Sequence, residues 1–204
     1  MLLDSVPGTA ASAACAALEE AGAQYELVQV ERHNRAVLAG STQVHPHRRV
    51  PTLRDGTVLL DESAAIILWL GDRFPDSPLL PPCASSARAD TYRWLTYLTN
   101  TVHTAYLRWD TIAGSHIAPD TAAGIREVAA EDLSLAFEYI EGELAEREYL
   151  VPDRFTGADL LLHMLVSPNW SMDLTPAPLS RPALAAHHAR IDRRPAVARM
   201  KQIH

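Results

Sequence analysis

Val50-Pro51-Thr52-Leu53-Arg54-Asp55-Gly56-Thr57-Val58-Leu59-Leu60-Asp61-Glu62-Ser63-Ala64-Ala65-Ile66 is the stretch whose reading decides the fold. Two β-like runs, Thr52-Leu53 and Thr57-Val58-Leu59-Leu60, flank Asp55-Gly56, a strong signal for an antiparallel hairpin. Pro51 lacks an N–H, so it belongs at the start of a strand or on a sheet edge. If the Val50–Pro51 bond is cis, the turn presents the N–H and C=O of Val50 to a pocket, where they can pair with an extended peptide ligand as a strand would. Glu62-Ser63 stands where strand passes into helix. A helix N-terminus offers free N–H groups and positive potential, and with the Ser63 hydroxyl it suits a carboxylate. The plainer alternative is that Ser63 only caps its helix.

Upstream, Met1 to Ser5 is a short apolar-led run, and Tyr25 to Val30 alternates with period two. Between them Ala10 to Ala21 reads as a helix with Ala14, Leu18 and Ala21 on one stripe, stopped by Gly22. Ser63 to Arg73 carries Ile66, Ile67, Trp69 and Leu70 and reads as a further helix. The expected order is β-α-β-(short α)-β-β-α. A strand, helix and strand in succession imply a parallel crossover, and the hairpin adds antiparallel strands. The first domain, residues 1–75, is therefore expected to be α/β and thioredoxin-like, βαβαββα around a mixed four-stranded sheet. The Pro- and Ser-rich residues 76–86 read as a linker. Residues 87–204 read as an all-helical domain, with helices over 87–109, 122–144, 156–166, 182–191 and 195–203.

Phe155-Thr156-Gly157-Ala158-Asp159 is a capping box with Asp in place of Glu or Gln, and Phe155 with Leu160 makes a hydrophobic staple. It opens an almost wholly apolar helix that must be buried. Its role is structural.

Composition narrows the function. Of 204 residues, 48% are apolar and 21% charged, ordinary for a globular protein with a sizeable core. No run of eighteen apolar residues points to a membrane span, and the N-terminus lacks the basic segment of a signal peptide. A net charge of −7, with both signs interspersed, argues against nucleic acid as partner. The two cysteines, Cys15 and Cys83, have neither metal-ligand nor redox spacing, so no metal is expected and a disulfide is not. The basic residues from Arg190 to Arg194 read as a helix C-terminus, where cations suit the dipole.

Together, Val-Pro before a hairpin, Asp-Glu-Ser-x-x-Ile after it, the Pro-rich linker and the capped buried helix resemble the glutathione S-transferase superfamily over the whole chain. Pro7-Gly8, Leu18-Glu19-Glu20-Ala21-Gly22, Trp94-Leu95-x-Tyr97 followed by His103, and Arg193-Arg194-Pro195-Ala196-Val197 resemble its bacterial beta class. The resemblance implies a cytoplasmic homodimer that uses glutathione as co-substrate, transfers its thiolate to a small electrophile in detoxification, and binds neither membrane nor nucleic acid. It implies that Val50 holds the cysteinyl part of glutathione, that Glu62 faces its amine and Ser63 its γ-glutamyl carboxylate, and that Arg35 or Arg49 meets the glycine carboxylate, which an arginine suits well. His103 matches a histidine lining the beta-class site, although taken alone, on a helix with Trp94 and Tyr106, it reads first as a core or lining residue.

The sequence also departs from that pattern. Ala10 stands where the beta class has a cysteine, Ala11 follows it, and Arg48 replaces a glycine common before Val-Pro. Cys15, on the face of Ala11 and Leu18, is expected to point inward, away from the helix start that would acidify a thiol. Conjugation needs only the glutathione thiolate, so the expected activating donor is Thr9, with Ser5, Ser12 and the backbone N–H groups of Ala10 and Ala11 as rivals. Two other functions share the scaffold. One is a non-catalytic module binding glutathione or a partner, the other a glutathione-dependent isomerase or peroxidase.

Overall fold

A computed structural model describes residues 1–30, 32–33, 36–37, 49–111, 117–171 and 174–203. Strands β1 (Leu2–Ser5), β2 (Glu26–Gln29), β5 (Thr52–Asp55) and β6 (Val58–Asp61) form one sheet in the order β2-β1-β5-β6. β1 and β2 are parallel, joined through helix α1 (Ala11–Glu20), while β1–β5 and β5–β6 are antiparallel. This is the mixed sheet expected. The hairpin register pairs Asp55 with Val58, so its two-residue turn is Gly56-Thr57. Gly56 takes φ +59°, which a residue without Cβ adopts at little cost. Between β2 and β5 a two-stranded ladder, β3 (Arg32–His33) with β4 (Ala36–Val37), precedes a segment outside the described residues. The short helix expected there lies outside them too.

α1 is buried more completely than one amphipathic stripe predicts: Ala11, Ala13, Ala14, Cys15, Ala16, Ala17 and Leu18 are all inaccessible. It packs against β1, against helix α2 (Ser63–Arg73) and against two helices from the far half of the chain. Alanines let all of these approach the α1 axis at once, so no face is left for solvent.

The remaining elements are helical: α3 (Ser86–Tyr97), a π-helical turn (Leu98–His103), α4 (Thr104–Thr111), α5 (Pro119–Leu144), α6 (Gly157–Leu165), α7 (Pro168–Ser171), a 3₁₀ turn (Pro178–Ser180), α8 (Pro182–Asp192) and α9 (Pro195–Ile203). α6 is the axle of this half. Every residue in it is buried, and it packs on α1, α2, α3 and α8. Its capping box forms as expected, with Asp159 Oδ2 accepting from Thr156 N–H at 2.8 Å. The Asp159 carboxylate reaches further than a cap requires. Its Oδ1 also accepts from Leu150 N–H at 2.9 Å and lies 2.9 Å from His187 Nε2. α9 closes over α1 through ion pairs: Arg194 grips both carboxylate oxygens of Glu20, and Arg199 pairs with Glu19. The basic stretch before α9 thus binds the first helix, and only Arg190 sits in the last turn of α8 as the dipole reading expected. No helix among the described residues is long and apolar enough to cross a membrane.

Candidate functional site

The end of β6, the turn before β5 and the start of α1 meet the π-helical turn and α6 around a cavity of about 300 Å³. Arg49, Val50, Pro51, Asp61, Glu62 and Ser63 form one wall. Ala10, Thr99, His103, Leu161 and Met164 complete it.

The first wall is built by backbone features. Val50–Pro51 is a cis peptide bond, and Thr52 Oγ1 donates to the carbonyl of Arg49 across that turn at 3.1 Å. Glu62 has φ +62° and ψ 116°, a combination that residues with a Cβ seldom occupy and that concentrates at functional sites. It is the last residue before α2. Ser63, only 6% exposed, donates its hydroxyl to the carbonyl of Ala10 at 3.0 Å. That bond joins the starts of α2 and α1, whose N-termini both open toward the cavity. No side chain caps α2, so Ser63 is not acting as the N-cap.

The opposite wall depends on a helical irregularity. Residues 98–103 follow π geometry, and the Thr104 hydroxyl donates to Thr99 C=O five residues back. π turns are rare and concentrate at functional positions. This one sets Thr99 and His103 on the same wall. His103 packs edge-on against Trp170 of α7, 5.1 Å between ring centroids, and Trp170 meets Tyr106 at 5.8 Å. Burial, and after it the Arg49 guanidinium, hold the His103 pKa below the ordinary histidine value. Its ring is therefore neutral at pH 7 and can accept as well as donate.

Solved structures share this frame. The chain is similar over its full length to a sphingomonad glutathione S-transferase complexed with glutathione, at 30% identity and a TM-score of 0.86, covering 98% of that protein. Residues 10–78 match the glutathione S-transferase N-terminal domain model, and residues 112–195 match the C-terminal domain model. The chain belongs to the glutathione S-transferase family.

Among curated glutathione S-transferases it is 29% identical over 195 residues to GstA of Escherichia coli O157:H7, covering 94% of this chain and 92% of that one. Its fold superposes on the bacterial beta-class glutathione S-transferase of Sphingomonas chungbukensis with a TM-score of 0.85 at 27% identity, over 100% of this chain and 98% of the other. Family and fold together support a glutathione S-transferase-like function.

Against this family frame the expected site residues divide. Val50, Glu62, Ser63, Arg49 and His103 all line the one cavity. Arg35 lies outside the described residues. Thr9 does not line the cavity, and its hydroxyl donates to Val6 C=O at 2.6 Å, which closes the turn after β1. The rivals turn inward as well: Ser5 is fully buried, and Ser12 Oγ donates to Thr9 C=O at 2.9 Å. Ala10, rather than Thr9, is the residue before α1. The Ala11 N–H is directed at Thr9 Oγ1, 3.4 Å away. Gly8, at φ +72°, makes the turn that brings Ala10 to the cavity. Cys15 is buried, 3.2 Å from Tyr25 Oη, and burial first, with Glu19 also contributing, pushes its thiol up to about 11. It is an inert core residue, as its helix face implied. Thr99, Leu161 and Met164 escaped the sequence reading. Leu161 and Met164 look like any other apolar residue of a buried helix, and a π turn has no sequence signature.

Proposed function

We propose that this chain binds glutathione in the cavity and transfers its thiolate to a small electrophile, acting as a cytoplasmic homodimer whose glutathione domain spans residues 1–75 and whose helical domain, residues 87–204, shapes the second-substrate site. The observation that carries the proposal is the convergence on one cavity of the cis Val50–Pro51 turn, the strained Glu62 and the start of α2 with the Ser63 hydroxyl. This is a peptide-pairing edge beside a carboxylate site. Val50 pairs with the cysteinyl unit, Ser63 turns its hydroxyl from Ala10 C=O to the γ-glutamyl carboxylate, Glu62 faces the amine, and Arg49 meets the glycine carboxylate.

A free thiol of pKa near 8.5 is only a few per cent ionised at neutral pH, so lowering it by one unit raises the thiolate fraction up to about tenfold. The groups placed to do this are the start of α1 at Ala10 and the neutral His103. Thr9 acts on them indirectly by fixing the turn. The His103 ring beside Leu161 and Met164 on the same wall then favours a flat, apolar electrophile.

The hydroxyls of Thr9, Ser12 and Ser63 are all bound to backbone carbonyls, which favours the second reading, a glutathione-binding module without turnover. Calorimetry with glutathione, followed by titration of the bound thiol's absorbance, separates the two. Both readings predict binding weakened at least tenfold by Ser63→Ala, and turnover alone predicts a bound thiol that ionises below its free pKa. An unshifted thiol with binding intact leaves the module. No binding at millimolar glutathione rejects both.

A further inference from the structure

One group of side chains outside the cavity has no part in this chemistry. In the buried α6, Asp159 serves the cap, and His163 is the other ionisable residue of the helix. His163 Nε2 lies 2.8 Å from Asp192 Oδ1. The ring of His188 stacks on that of His163, with centroids 4.3 Å apart and planes 14° from parallel. His188 and Asp192 are four residues apart on α8, so they lie on neighbouring turns of one helix face. One donor atom from each of His163, His188 and Asp192 lies within 4.8 Å of the other two. From α9, Lys201 Nζ reaches the same Asp192 Oδ1 at 2.5 Å.

We propose that His163, His188 and Asp192 form a binding site for a divalent transition-metal ion, with Zn²⁺ the ion of best fit. Two imidazoles and one carboxylate are the donor set of Zn²⁺ and its neighbours, whereas Mg²⁺ and Ca²⁺ prefer oxygen alone. Zinc–nitrogen and zinc–oxygen bonds of about 2.0–2.2 Å in tetrahedral geometry place donors roughly 3.3 Å apart. The cluster must therefore contract by about 1.5 Å at its widest, and the side chains able to move are His188 and Asp192, both partly exposed. His163 is held by packing and serves as the fixed ligand. Asp192 is 34% exposed, which lets water take the fourth position. The Lys201 ammonium already occupies a cation's place beside the carboxylate. It is half exposed, so it can leave for solvent, and it acts as the competitor of the metal. No ligand spacing announces this site, because its ligands are divided between two helices that only the fold brings together.

The test is calorimetric titration of the full-length protein with ZnCl₂ in a buffer free of chelators and phosphate. One Zn²⁺ per chain is expected. His188→Ala should weaken binding at least tenfold, and Lys201→Met should tighten it several-fold by removing the competing charge. Both positions are partly exposed, and an unchanged unfolding midpoint without metal verifies that each variant folds. Cobalt loading supplies a separate readout: the wild type should show the visible absorption of tetrahedral Co²⁺, and His188→Ala should lose it. No heat at millimolar Zn²⁺, or equal affinity in wild type and His188→Ala, would overturn the proposal. Unchanged affinity in Lys201→Met would remove the ion from Asp192 and overturn it as well.

Discussion

Replacing Asp159 by alanine should be among the most damaging single changes in this protein. The carboxylate is fully buried and accepts from the backbone N–H groups of Thr156 and Leu150, at 2.8 and 2.9 Å, besides facing His187 Nε2. Alanine leaves both N–H groups buried without a partner. At about 1–3 kcal/mol for each orphaned donor, the loss is about 2–6 kcal/mol, which exceeds the roughly 1 kcal/mol of an ordinary cap. For a chain of this size that lowers the melting temperature by roughly 10 °C. Asp159→Asn should fall between, since it keeps one acceptor oxygen but turns an NH₂ group toward a donor. Urea unfolding followed by circular dichroism at fixed protein concentration measures the loss, with Asp90→Ala as control. Asp90 makes an exposed pair with Arg93, and removing such a pair costs about 0–1 kcal/mol. An Asp159→Ala variant losing less than about 1 kcal/mol, like the control, would refute the reasoning that these buried donors depend on one carboxylate.

Gly157→Ala should also destabilise by about 1–3 kcal/mol, because the added Cβ would overlap Ile67 Cγ2 and α6 cannot withdraw from α2 without moving the cavity wall; an unfolding midpoint equal to wild type would show that the contact yields freely. Thiol labelling of the native protein at pH 8 should modify the exposed Cys83 and spare Cys15, whose thiol is both buried and held near 11, with the second thiol appearing only in denaturant. His103 is held below its ordinary pKa, so if its neutral ring serves turnover, kcat/KM should stay level as pH falls through 6.5 and drop only further down. Arg49→Gln removes a positive charge that opposes protonation of His103, so the acid limb should move to higher pH, and a limb that stays in place would separate His103 from the rate.

The features legible in the sequence are those written in local periodicity and punctuation. The Asp55-Gly56 hairpin, the Thr156–Asp159 box and the five long helical patterns each follow from side-chain spacing within one element, and the structure places them within a few residues of the reading. The features that escaped depend on contacts between elements. Nothing near Thr99 announces a π turn. The hydroxyl of Thr9 looks free in a linear reading but is taken by Val6, three residues upstream. Ser63 looked like a cap, yet its bond runs to Ala10, fifty-three residues away. The threefold burden on Asp159 includes Leu150 and His187, which only packing brings to it.

The clasp of α9 on α1 has a consequence for synthesis. Glu20 and Arg194 are 174 residues apart in the chain. At about 5–20 residues per second, roughly 9–35 s pass between their emergence from the ribosome. During that interval the alanine-rich helix, wholly apolar from Ala13 to Leu18, stands without its last cover. The nascent sheet half is therefore an open hydrophobic surface until nearly the whole polypeptide has been made, and chaperone capture should be strongest on nascent chains stalled before residue 195.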